Sequence, residues 1–216
     1  MFRSAMSRAL RLILPAILVV LALAGATLWL TGLPGLSPAG RGGAVGITLP
    51  AGTAIGGGFH LIDEHGTPVS PEDYRGRWML VYFGYTFCPD VCPTTLQTIA
   101  TALDKLGKGE AEKIAPLFIT IDPERDTPPV LARYVGQFDP RIIGLTGTPA
   151  AIADAARAYR VYYAKETPKD GSPYTMDHSS FIYLMDPEGR LAALFGPQTT
   201  ADELAAGIKQ KLGQDK

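Results

Sequence analysis

The chain has 216 residues, room for one globular core plus extra segments and too few for two full domains. Its 20 Lys and Arg stand against 21 Asp and Glu, a formal net charge of -1, so there is no basic excess to neutralise a phosphate backbone and no nucleic acid is expected as a partner. An aromatic content of 9% is enough to pack an interior and argues against disorder beyond the N-terminal region.

Residues 1–11 carry Arg3, Arg8 and Arg11 and no acidic residue. Residues 12–30 then run without a charge, mostly Leu, Ile, Val and Ala, and as a helix would span about 28 Å, close to a bilayer core. The next charge is Arg41, so the positive-inside rule keeps the N-terminus cytoplasmic and exports the remainder of the chain. Two readings of this run are open: a transmembrane anchor, or a signal segment cut after Ala22-Leu23-Ala24. Its length favours the anchor, and both readings export the domain. Residues 31–58 are rich in Gly, Pro, Ala and Thr, end in Gly56-Gly57-Gly58, and read as a flexible linker. The folded domain is expected over 59–216.

Within it, short β-like runs alternate with helical stretches, the pattern of an α/β fold with helices packed on a sheet. Residues 59–62 and 69–70 flank the turn-rich Asp63-Glu64-His65-Gly66 and predict a hairpin. The apolar run 78–85 reads as a central strand buried on both faces. Leu96, Ile99, Ala100 and Leu103 recur at helical spacing over 93–106, which places Cys88 and Cys92 between strand and helix. A strand over 115–121, a helix opened by Thr127-Pro128-Pro129 and running to 138, and a strand over 142–145 come next. An alanine-rich helix starts at Thr148-Pro149 and runs to about 160. Strands 180–185 and 191–195 form a last hairpin, and an amphipathic helix over 200–211 closes the chain.

Cys88 and Cys92 are the only cysteines in the sequence. In an oxidising compartment such a pair is a disulfide, a metal site or a redox couple. A bridge over three intervening residues closes too small a loop to stabilise a domain of this size much. Unsatisfied amides at the start of the following helix favour thiolates, and soft sulfur ligands suit Cu(I) and also accept zinc. A third ligand would come from His60, His65 or His178. His65 beside Gly66 reads as a solvated turn residue. His178 immediately precedes a buried strand and is on spacing alone either a ligand or a hydrogen-bonded structural histidine.

Three strings, CPDVCPT at 88–94, DPERDTP at 122–128 and DHSSFIYLMDPEG at 177–189, together resemble the Sco/SenC family of copper proteins. The resemblance covers about residues 48–212. It implies a thioredoxin-like fold, a central mixed sheet flanked by helices behind one N-terminal transmembrane helix. It implies Cys88, Cys92 and His178 as copper ligands with an open side for transfer. It further implies delivery of copper to the dinuclear copper A centre of cytochrome c oxidase subunit II, with an upstream periplasmic copper donor. The expected placement is a bacterial inner membrane, crossed once, with the domain in the periplasm. Three rivals stand beside this reading: a thiol:disulfide oxidoreductase acting on the cysteines of that centre through Cys88 and Cys92, a peroxiredoxin-like peroxidase, and a copper sensor. The peroxidase pattern puts Thr three positions before its cysteine, whereas Tyr85-Thr86-Phe87 precedes Cys88. The string 122–127 reads as a docking or tuning element, or as a Pro-rich loop in which Asp126 or Thr127 caps the next helix.

Overall fold

The computed structural model describes residues 54–214 and Val20. No helix among the described residues is long and apolar enough to cross a membrane. The predicted span 12–30, apart from Val20, and the linker up to residue 53 lie outside the described residues. Ile55 packs against the core and the Gly56 amide donates to the Ala158 carbonyl at 3.0 Å, so packing against the domain begins ahead of Phe59.

The architecture is mixed α/β, a central sheet flanked by helices. A seven-stranded sheet runs in the order β2 (Pro68–Val69), β1 (Leu61–Asp63), β5 (Ile143–Thr146), β4 (Ile114–Thr120), β3 (Trp78–Gly84), β8 (Ile182–Met185), β9 (Leu191–Phe195). Strands β3, β4 and β5 are parallel to one another, and β1 and β8 pair antiparallel with their neighbours. Every residue of β3 and β4 is buried, which explains why both read as continuous apolar runs rather than as alternation. On one face Tyr82 packs on Phe118, which in turn meets Tyr134 at the end of α3 (Pro128–Val135). On the other, Phe83 packs at 5.4 Å on Tyr159, the residue that ends α4 (Pro149–Ala158). Helices α1 (Val91–Leu106) and α5 (Ala201–Gln214) pack on each other through their apolar sides.

The predicted hairpins and the four long helices are present, with boundaries moved by a few residues. Helix α3 ends at Val135 rather than 138, because Gly136, Gln137 and Phe138 close turns instead. Helix α1 begins at Val91, so Cys92 lies in its first turn and only Cys88 sits in the connecting loop. Three pieces lack a strong sequence signal: a 3-10 turn at Pro71–Tyr74, the single turn α2 (Lys108–Ala111), and an antiparallel ribbon of β6 (Tyr163–Glu166) and β7 (Thr175–His178). The ribbon is a separate two-stranded sheet, and His178 is its last paired residue rather than part of a loop.

Candidate metal centre

Strand β3 ends at Gly84, and the chain turns through Tyr85, Thr86 and Phe87 to Cys88, whose amide donates to the Tyr85 carbonyl at 3.3 Å. Gly84 is required by close approach: a Cβ there would lie 2.8 Å from the Cys92 sulfur and 2.8 Å from a carbon of the Phe118 ring. The N-cap of α1, Asp90, makes no side-chain cap bond, so a first-turn amide is left for another acceptor. That acceptor is sulfur, since the Cys92 N–H points to Cys88 Sγ at 3.4 Å.

The ribbon brings His178 to the same place. Its Nε2 lies 3.4 Å from Cys92 Sγ and its Nδ1 lies 3.1 Å from the Ser179 carbonyl oxygen. A carbonyl can only accept, so Nδ1 carries the hydrogen and the Nε2 lone pair faces the thiols. Tyr85 meets the imidazole edge-on at a centroid distance of 6.0 Å, with Tyr82 at 6.4 Å. The three ligand atoms of Cys88, Cys92 and His178 all lie within 4.8 Å of one another. An ion could then sit within about 2.8 Å of all three, and a contraction of about 0.5 to 0.8 Å reaches the ~2.0–2.3 Å of imidazole and thiolate bonds to a d10 ion. The donor set therefore fits a soft ion.

Both cysteines are free. The Cys88 thiol is lowered to about 4, chiefly by the hydrogen bond from Cys92, with smaller help from the Asp90 and Cys92 amides, against the opposing effect of burial. Cys92 is pushed up, by the same hydrogen bond and by burial, so the pair holds one proton and keeps it on Cys92. The expectation of an open site needs correction. Cys92 is fully buried and Cys88 only 9% exposed, because α1 carries the former inward against Gly84. Access is from the rim formed by Cys88 and half-buried His178, beside the exposed ring of Phe87.

His60 and His65 are exposed on the opening hairpin and do not join this cluster. In the string after β4, Asp126 braces the loop that carries Cys88 instead of capping the next helix. Asp126 is fully buried and accepts from Thr86 N at 3.0 Å, Thr86 Oγ1 at 2.6 Å and Thr120 Oγ1 at 2.6 Å. It thereby fixes the loop two residues ahead of Cys88, while Thr127 is the N-cap of α3 and makes no side-chain cap bond. Asp122, 2% exposed, is paired with Arg125 and accepts from the Tyr174 hydroxyl at 2.9 Å. Sequence reasoning missed these supports, as well as Gly84. A usable signal was present in Thr120 at the end of β4 and in the carboxylates crowded beside an otherwise apolar strand, where buried charge needs specific partners.

With this geometry described, comparison with known proteins decides the family. The family model SCO1/SenC matches residues 48–213. The chain belongs to that family. Among curated SCO1/SenC relatives, Protein sco1 of Schizosaccharomyces pombe is 44% identical over 158 residues, covering 71% of this chain and 59% of that protein. Protein SCO1 homolog 1, mitochondrial, of Arabidopsis thaliana is 43% identical over 161 residues, covering 74% of this chain and 48% of that protein. The chain thus spans about half to three fifths of the length of these relatives. Solved structures of the family agree. Arabidopsis thaliana ScoI with copper bound is 42% identical with a TM-score of 0.70, covering 74% of this chain and 99% of that one. Bradyrhizobium japonicum ScoI with copper bound is 47% identical with a TM-score of 0.67, covering 73% and 99%.

Proposed function

We propose that this chain binds one copper ion through Cys88, Cys92 and His178 and delivers it to the dinuclear copper A centre of cytochrome c oxidase subunit II. The single observation that carries the reading is the convergence of two sulfurs and one imidazole nitrogen within 4.8 Å, in a family whose relatives of 42% and 47% identity have been solved with copper bound. Two soft sulfurs and a neutral imidazole suit Cu(I) in low coordination and leave a position for an acceptor's thiol. Transfer is then an exchange of ligands at the rim. Cys88, already a thiolate, needs no deprotonation before it binds or rebinds the ion, whereas Cys92 gives up its proton on binding.

The rest of the reading comes from the sequence. The domain has the thioredoxin-like fold that the resemblance implies, over 59–216, with 31–58 as linker, 12–30 as membrane anchor and 1–11 in the cytoplasm. It faces the periplasm and receives copper from a periplasmic donor. Metal analysis of the reduced chain, purified without air, tests the central claim: about one copper per chain is expected, and its absence under copper-replete growth overturns it.

A second reading, a thiol:disulfide oxidoreductase, is favoured by one observation, the Cys92 amide that donates to Cys88 Sγ at 3.4 Å and so favours a thiolate there. In that reaction Cys88 attacks a substrate disulfide and Cys92 resolves the mixed disulfide. The substrate leaves with two thiols and the chain with one disulfide. Substitution of His178 separates the two readings.

A further inference from the structure

The two halves of the site stand on supports of different stiffness. The thiol half hangs on β3 and α1, both packed in the core, and is fixed by Asp126 through Thr86. The imidazole half sits on the ribbon of β6 and β7, which is paired with no strand of the main sheet. No residue of β6 is buried, and in β7 only Met176 is. A lone two-stranded ribbon with so little burial is at best marginal, so what holds it against the core decides where His178 lies.

Arg125 supplies several of those contacts. Its guanidinium carbon lies 3.7 Å from the centre of the Tyr174 ring, 4.7 Å from that of Phe87 and 5.8 Å from that of Tyr85. Its Nη1 donates to the Tyr174 carbonyl at 2.9 Å, and its Nε is paired with Asp122, which also receives the Tyr174 hydroxyl. Tyr174 immediately precedes β7, and Phe87 immediately precedes Cys88. One side chain therefore touches both arms of the site, on the approach to each ligand. The pair of Lys165 with Glu124 at 2.7 Å repeats the link further out, where both side chains are exposed and solvent weakens it.

We propose that Arg125 is a positioning residue, a clamp that holds the β6–β7 ribbon so that the His178 imidazole stays at the two thiols. The claim rests on the copper reading above for its consequence, but not for its geometry. A planar guanidinium stacked on rings and bonded at its edge is a role that the ammonium of lysine does not fill.

Amide hydrogen exchange in the copper-free protein tests the clamp directly. Replacing Arg125→Ala should speed exchange of the β6 and β7 ladder amides at least tenfold and leave β3 and β4 unchanged. Arg125→Lys should resemble Arg125→Ala, and parent-like exchange in the lysine variant overturns the stacking argument. Because Arg125→Ala leaves the buried Asp122 without its cation, Tyr174→Leu serves as the second variant. It removes the ring and hydroxyl, keeps the Asp122 pair, and should loosen the same ribbon. Ribbon exchange unchanged in Tyr174→Leu overturns the proposal even if the arginine variant fails to fold. Cu(I) affinity then shows whether the clamp acts through His178. Arg125→Ala should weaken binding at least tenfold in the parent, yet less than about twofold in a His178→Ala background. An equal loss in both backgrounds places the effect on the thiols and overturns the assignment. The exchange measurement requires no copper, so a parent chain that binds none defeats the copper reading while the clamp is still decided on its own.

Discussion

Replacing His178 by alanine removes the one nitrogen donor at the site and leaves both sulfurs in place. The ring contributes its Nε2 lone pair, 3.4 Å from Cys92 Sγ, and edge contacts with Tyr82 and Tyr85. Without it, an ion held by two thiolates takes water or a weaker donor in the third position. A loss of at least about tenfold in affinity is expected, equivalent to ~1.4 kcal/mol. The thiol chemistry should change little, because the main cause of the lowered Cys88 value is the hydrogen bond from Cys92, which the substitution leaves in place. Competition with a Cu(I) chelator under anaerobic, reducing conditions reads the first quantity, and the rate of exchange with a small aromatic disulfide reads the second. The variant should bind copper weakly, exchange thiols near the parent rate, and fail to restore oxidase in cells lacking the parent. Affinity within about twofold of the parent would refute His178 as a ligand. Full restoration of oxidase by a variant whose copper binding is measurably weakened would refute delivery and favour the reductase.

Cys88→Ser and Cys92→Ser should each abolish tight copper retention against the same chelator while the far-ultraviolet circular dichroism stays that of the parent, since the thiols are not bridged. Gly84→Ala drives a methyl to 2.8 Å from both the Cys92 sulfur and the Phe118 ring, and urea unfolding should register a loss of about 1–3 kcal/mol; a neutral result would mean that the turn has room to move. Burial raises the Asp126 carboxyl, so its protonated form favours the fold. The unfolded carboxyl, near ~3.9, loses its proton first. That contribution is therefore complete below about pH 4 and is lost as pH rises through the folded-state value. Asp126→Asn should remove this part of the fall, and parallel urea midpoints for parent and variant from pH 4 to 7 would contradict it. Protease added to spheroplasts should digest the domain, and full protection would defeat export; a soluble mature chain beginning near Gly25 would instead defeat only the anchor.

The central strands were legible because β3 and β4 are buried on both faces and so appear as unbroken apolar runs. The thiols declared themselves by number and spacing. The link between Cys88 and a histidine ninety positions on was supplied by the combination of three strings, since no local pattern encodes a contact made by the fold. The β6–β7 ribbon was missed because Tyr163-Ala164-Lys165-Glu166 buries no residue and shows no alternation with a core face. The task of Asp126 was left open for a related reason. An acid just before Thr-Pro looks like a helix cap, and only the three-dimensional approach of Thr86 and Thr120 gives it a different task.

Cys92 and His178 are 86 residues apart in the chain. An unfolded polypeptide holds two thiols close together but has no imidazole near them, so the three-donor site comes into being only with the tertiary structure. An ion bound there is consequently held more tightly by the native state than by the unfolded dithiol, and a preference of about tenfold adds up to about 1.4 kcal/mol to stability. Loading and equilibrium stability are then thermodynamically linked. The copper-free chain is the form expected to have the lower melting temperature and to be the one that proteases clear first.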